Sequence, residues 1–231
     1  MSKTYTLNIE LLSRAIIGSA EGYGVVIDTD IMLDDFGIPY IPARRIKGCL
    51  RDSAIEVMDM LYQAGINEFI DLTTDKSEKF KYSLVNKLFG RPGLQINSSI
   101  TFSNLNIADH EALKEWLSFL MHDSQSSALI SREAITAYFT DITQQTAIDD
   151  TTGTAQKHSL RTVRSIRSGF TFSGEILIDT VTKDYERLLL LSAMNLRYIG
   201  SIRTRGFGKV CCGIDGISDK ILKELEGLCI N

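Results

Sequence analysis

The amino-acid sequence predicts an α+β fold, and three observations carry that expectation. The chain opens with apolar residues at period two, Tyr5, Leu7, Ile9 and Leu11, the pattern of a strand with one buried face. Two segments show helical spacing, one beginning at Pro42 and one over residues 185–198 that is apolar almost all round and therefore buried. Apolar runs of β character follow each of them. The order strand, helix, strands, helix, strand fits a ferredoxin-like or RNA-recognition-motif-like core with insertions.

Each element has its own justification. The period-two pattern predicts the first strand over residues 5–17. Residues 18–38 carry Gly18, Gly22, Gly24 and Gly37 with Asp28, Asp30, Asp34 and Asp35, and read as a long loop. Pro42 fixes the backbone for a helix start, and Ile46, Leu50, Ile55, Val57, Met58 and Leu61 give that helix an apolar side to about Ala64. Residues 76–82 read as exposed. A short helix is expected over 84–90, stopped by Arg91-Pro92-Gly93, then a weakly alternating strand over 96–107. Residues 111–121 form an amphipathic helix carrying the only tryptophan, Trp116. Strands are expected at 135–139 and 160–178, bridged by a polar segment, then a strand at 210–217 and a closing helix at 220–228. There are no internal repeats. The expectation is one domain over 1–231, its core at about 1–64 and 170–217, with inserted elements at about 65–170.

Composition narrows the function classes. A chain of 231 residues can bury a core, and 44% hydrophobic with 23% charged residues is ordinary for a soluble protein. No run reaches the roughly eighteen apolar residues of a membrane helix, and the N-terminus lacks a secretory layout, so a cytoplasmic protein with no membrane partner is expected. Cys49, Cys211, Cys212 and Cys229 have no metal-ligand spacing and read as free thiols rather than disulfides or zinc ligands. The net charge of −4 argues mildly against a protein coated in nucleic acid. Charge is segregated, however. Arg44, Arg45, Lys47 and Arg51 occur with no acid among them, as do Lys157, Arg161, Arg164 and Arg167, while the acids gather in the first loop and the C-terminal tail. A field is local, so such segments can still hold an anion.

Arg203-Thr-Arg-Gly-Phe-Gly-Lys209 sits between the buried helix and the last strand. Its glycines permit tight or left-handed turns, and amides with guanidinium groups can share the charge of a phosphate. An ordinary turn with solvated arginines is the plainer reading of this segment alone. Tyr40-Ile-Pro-Ala-Arg-Arg-Ile-Lys-Gly-Cys-Leu-Arg51 adds a second basic segment at a helix start, where free amides favour anions. Spaced by three and four, Arg44, Lys47 and Arg51 share one helix face, a stripe suited to successive phosphates. Thr152-Gly-Thr-Ala-Gln-Lys-His-Ser-Leu-Arg161 is a third such segment.

These residues carry a resemblance. Residues 38–51 resemble the strand-to-helix motif P-Y-I-P-G-S-S-L-K-G-x-L-R of the RAMP superfamily, the repeat-associated proteins of CRISPR systems. Ser131-Arg132, Thr152-Gly153-Thr-Ala155, Leu160-Arg161, Gly169, Phe172 and Glu175 are similar to the middle signature of backbone subunits of type III effector complexes. Gly200-Ser-Ile-Arg-Thr-Arg-Gly-Phe-Gly208 resembles their glycine-rich loop. The three stand in order from residue 38 to 210. Two departures are visible: Ala43-Arg44-Arg45 replaces Gly-Ser-Ser, and the loop opens Gly-Ser rather than Gly-Gly.

The resemblance implies copies stacked along a guide RNA (crRNA), each holding part of its backbone and presenting a single-stranded target RNA, with other complex subunits and neighbouring copies as partners. RNA contacts are then expected from Arg44, Arg45, Lys47, Arg51, Arg132, Lys157, Arg161, Arg203, Arg205, Gly206 and Gly208. A thumb-like β-hairpin is expected within 135–172, with its polar excursion at 140–153. Some backbone subunits cut target RNA with an aspartate on the first loop and a divalent metal. Counting back from Pro39-Tyr-Ile-Pro42, Asp28 matches best as that catalytic residue and as the ligand for Mg²⁺ or Mn²⁺; Asp30, two residues on, is a second candidate. The alternatives are a non-catalytic RNA-binding scaffold and a metal-independent guide-processing ribonuclease, which relies on an early histidine. His110, His122 and His158 all lie outside the first loop. An unrelated nucleotide-binding enzyme ranks last, because no Walker or GxGxxG motif follows a strand.

Overall fold

A computed structural model of the chain describes residues 1–18, 27–66, 82–90, 98–122, 130–146, 153–156 and 159–217, together with 221 and 223. Its core is an antiparallel sheet with helices on one face. Strand β1 (Lys3–Leu11) lies between β6 (Thr171–Ile178) and β7 (Val210–Asp215), and β2 (Ile100–Phe102) pairs with the outer side of β6. Pairing runs from Lys3↔Ile178 to Glu10↔Thr171 on one side of β1 and from Thr6↔Asp215 to Leu11↔Val210 on the other. The order β2-β6-β1-β7 is the ferredoxin-like arrangement, with last strand beside first and third beside first. A two-residue strand, β3 (Asn106–Ile107), also pairs with β6. Both β2 and β3 come from the stretch read as insertion, so that stretch supplies part of the main sheet.

The alternation of β1 explains its placement. Tyr5, Leu7, Ile9 and Leu11 are buried under the helices, while Thr4, Thr6 and Glu10 face out. Helix α1 (Ala43–Gln63) packs Ile46, Leu50, Ala54 and Met58 onto that face beside Leu188, Leu189 and Ala193 of α5 (Lys183–Asn195). Helix α2 (Ser83–Phe89) closes one edge through Val85, Leu88 and Phe89. The Thr182 hydroxyl accepts from the Tyr185 amide and starts α5. Several predicted ends move inward: β1 stops at Leu11, α5 at Asn195 and β7 at Asp215. Ala15 instead makes an isolated bridge to Ile166, drawing residues beyond β1 toward a different sheet.

That second sheet is a two-stranded hairpin of β4 (Thr140–Gln145) and β5 (Arg161–Ile166), in register from Thr140↔Ile166 to Gln145↔Arg161. The run expected as strand over 160–178 is therefore broken at residues 167–170 into β5 and β6. The strand expected at 135–139 is a helix, α4 (Arg132–Phe139). Two forces favour the helix. The Ser131 side chain caps it by accepting from the Ala134 amide at 3.2 Å. Ile135, Thr136 and Phe139 also meet on one buried face at helical rather than period-two spacing. Ile135 and Phe139 form a satellite core with Ile38, flanked by Leu113 and Leu117 of α3 (His110–His122). The closing helix expected at 220–228 and the stretch 76–82, read from the sequence as exposed, fall mostly outside the described residues. No helix among the described residues is long and apolar enough to cross a membrane.

Candidate nucleic-acid interface

The glycine-rich loop is a closed lariat seated on residues 14–16. The Ile199 amide donates to Gly208 O at 2.8 Å, Gly208 N to Arg14 O at 2.7 Å, and Ser201 N to Ile16 O at 2.9 Å. Gly200 and Gly208 both have positive φ, and a Cβ at either position would run into a carbonyl oxygen, that of Ile16 or that of Ile199. No other residue fits there. Between them a 3-10 turn, Arg203–Arg205, is flanked by two left-handed residues, Ile202 at φ 58° and Gly206 at φ 82°. A β-branched residue in that region is strained. The turn leaves Arg203, Thr204 and Arg205 exposed. Arg203 Nε donates to Gly200 O at 3.0 Å, and Arg205 reaches Gln145 on the hairpin at 3.5 Å. The Arg14 guanidinium, which the sequence reading did not single out, lies 5.7 Å from the Phe207 ring centre.

The start of α1 faces this loop. Pro42 stands at its N-cap, and Asn104 Oδ1 takes the Ala43 amide at 2.9 Å. There is no acid in the first turn, which leaves the positive end of the helix uncompensated. Arg44 and Arg45 are exposed, and Arg45 donates to Gly18 O at 3.4 Å. Arg45, Cys49, Gly200 and Arg203 line one small cavity of about 70 Å³. Burial pushes the Cys49 thiol pKa up, while the neighbouring Arg203 and Arg45 pull it down.

The expected stripe of Arg44, Lys47 and Arg51 does not form an open face. Lys47 Nζ donates to Ser98 Oγ at 2.7 Å and Ile100 O at 3.1 Å, and burial lowers its pKa. Arg51 donates to Gly90 O at 3.2 Å and Asn86 Oδ1 at 3.3 Å. Helical spacing is as predicted, but this face lies against α2 and β2, so the two side chains are spent on internal acceptors. The arginine that lines a cavity together with Arg203 is Arg45.

The acidic loop is held against the hairpin. Thr29 pairs with Val163, Arg164 N donates to Thr29 O at 3.0 Å, and Asp28 N donates to Thr162 O at 3.0 Å. Asp28 is exposed, and one of its carboxylate oxygens accepts from Thr162 N at 2.7 Å. Asp30 points inward, 8% exposed, and pairs with Arg164 through both oxygens at 3.2 and 3.3 Å. Further along, His110 Nε2 lies 2.9 Å from Asp34 Oδ2, and Arg132 donates to the carbonyls of Asp34 and Asp35. Arg132 thus braces the loop. Arg161 is exposed at the end of β5; Lys157 lies outside the described residues. Among the described residues no three metal-ligating side chains cluster. A cation here would have Asp28 as its protein ligand and complete its shell with substrate oxygens and water, a donor set Mg²⁺ accepts.

The fold and this constellation define a class, the ferredoxin-like proteins with a glycine-rich loop beside a basic helix start. The RAMP superfamily profile matches residues 8–211, and the chain belongs to that superfamily. No curated protein matches it. Among solved structures, a chain of the type III-B Cmr-beta complex bound to cognate target RNA superposes with a TM-score of 0.61 at 15% identity, covering 92% of this chain and 97% of that one. A chain of the apo Cmr-beta complex gives 0.57 at 15% identity with the same coverage. At that identity the likeness establishes the fold.

Proposed function

We propose that this protein is a guide-RNA-binding backbone subunit of a type III CRISPR complex that presents complementary RNA and cuts it. The observation carrying the reading is the meeting of Arg45 and Arg203 across a cavity walled by Gly200. Two guanidinium groups at an uncompensated helix start, beside a loop rigid enough to hold its shape, suit a phosphodiester rather than a small apolar ligand. The β4–β5 hairpin serves as the thumb, tied to the loop by the contact between Arg205 and Gln145.

Cutting is assigned to Asp28. Its carboxylate is exposed on the part of the loop held against the hairpin, whereas Asp30 is occupied by Arg164. Asp28 is the residue that would hold Mg²⁺ or Mn²⁺, and the ion would supply charge neutralisation at the scissile phosphate. Expression of the chain with its complex tests the reading. Purified material should carry RNA, visible as a high 260 to 280 nm absorbance ratio, and sequencing should return guide repeats. Complementary RNA should be cut with Mg²⁺ and spared with EDTA. RNA-bearing material that never cuts would leave a scaffold subunit.

A further inference from the structure

The basic cavity continues along α1. After Arg45 and Cys49, Asp52 and Glu56 follow on the same helix face at three- and four-residue spacing, and with Ser53 and Tyr198 they line a second cavity of about 210 Å³ that shares Cys49 and Arg203 with the first. Glu56 is occupied, since Asn195 Nδ2 donates to its Oε2 at 3.0 Å and to Ser53 Oγ at 3.0 Å. Asp52 is exposed, and among the described residues no hydrogen bond or ion pair engages its carboxylate. The Tyr198 ring is 39% exposed at the same cleft. A carboxylate about two helical turns from an arginine-lined anion site opposes phosphate binding on its own. It becomes favourable when the ligand places a hydroxyl donor beside the phosphate. Ribose does so through its 2′-hydroxyl, and deoxyribose does not.

We propose that this second cavity is a ribose subsite: with a phosphate between Arg45 and Arg203, the Asp52 carboxylate accepts a hydrogen bond from a ribose 2′-hydroxyl while the Tyr198 ring flanks the nucleoside, so that the cleft selects RNA over DNA. The inference rests on the RNA-binding reading above and adds the group that recognises the sugar. Asp52 is exposed in the free chain and is covered when a nucleotide sits in the cleft; an acceptor so covered and left without its donor disfavours the deoxy analogue, which is how a polar site rejects a ligand lacking one hydroxyl.

Fluorescence polarisation on the full chain tests it, using one single-stranded sequence as RNA, as DNA and as 2′-O-methyl RNA. The parent should bind RNA most tightly. Asp52→Ala should cut the RNA to DNA affinity ratio about tenfold, and Asp52→Asn, which keeps an acceptor oxygen, should retain most of it. Arg203→Ala should weaken RNA and DNA equally. An Asp52→Ala ratio equal to the parent's would overturn the subsite. So would an equal gain for RNA and DNA, which would show a carboxylate that only repels phosphate. A parent binding none of the three probes removes the RNA-binding reading itself, whereas tight but sugar-blind binding leaves that reading and overturns only the ribose subsite.

Discussion

The guanidinium of Arg164 holds Asp30 by both oxygens, Nη1 lying 3.3 Å from Oδ1 and 3.2 Å from Oδ2, and this ion pair divides two neighbouring aspartates into different roles. Asp30 ties the first loop to the hairpin. Asp28, two residues earlier, is left at the surface, and among the described residues only the Thr162 amide engages its carboxylate.

Asp28→Ala and Asp30→Ala should therefore fail differently. Asp28→Ala should abolish cleavage of complementary RNA with urea stability within about 0.5 kcal/mol of the parent, as for most surface changes. Asp30→Ala should lose about 2 kcal/mol, because Arg164 would be left largely buried without its partner, and its Nε has none among the described residues. Equal stability for the two variants would contradict this division.

The loop glycines offer a second contrast. Gly208→Ala forces a Cβ onto the Ile199 carbonyl and should cost more than about 2 kcal/mol together with RNA binding. Gly206 also has positive φ, but nothing lies within 4 Å of its added Cβ. Gly206→Ala should cost about 1 kcal/mol, the left-handed penalty alone. Thermal melts of both variants check the ranking.

Alkaline stability provides a third. Burial pushes the Cys212 thiol pKa up to about 12 from 9.0. The unfolded thiol ionises first, so its stabilising contribution is full below pH 9 and is lost as pH rises toward 12. Tyr5 shifts upward too, by burial and its bond to Glu186. Cys212→Val should flatten the decline in urea stability above pH 9, by at most about 1.4 kcal/mol per pH unit. An unchanged slope would show that Cys212 is not sequestered.

Much of this arrangement was legible in the sequence because it follows from local rules. Period-two residues placed β1, and Pro42 with its apolar stripe placed α1 within a residue of its ends. Residues 135–139 misled, since Ile135, Ala137 and Phe139 also fit a strand, and the Ser131 cap decides for a helix. Site partners were harder. Helical spacing showed that Arg44, Lys47 and Arg51 share a face, but which face meets the loop depends on α2 and β2, distant in sequence. The same limit hid the Asp30–Arg164 pair, whose members are separated by 134 residues.

Salt dependence of RNA binding tests the central claim most directly. Each phosphate contact to a single strand contributes about 0.7 to the slope of log K against log salt. The Arg45→Ala/Arg203→Ala variant should lose about 1.4 from the parent slope, while Lys47→Met/Arg51→Met, whose side chains bind internal acceptors, should keep it. A parent slope preserved in the Arg45/Arg203 variant and lost in the Lys47/Arg51 variant would place the RNA on the other face of α1 and contradict the account.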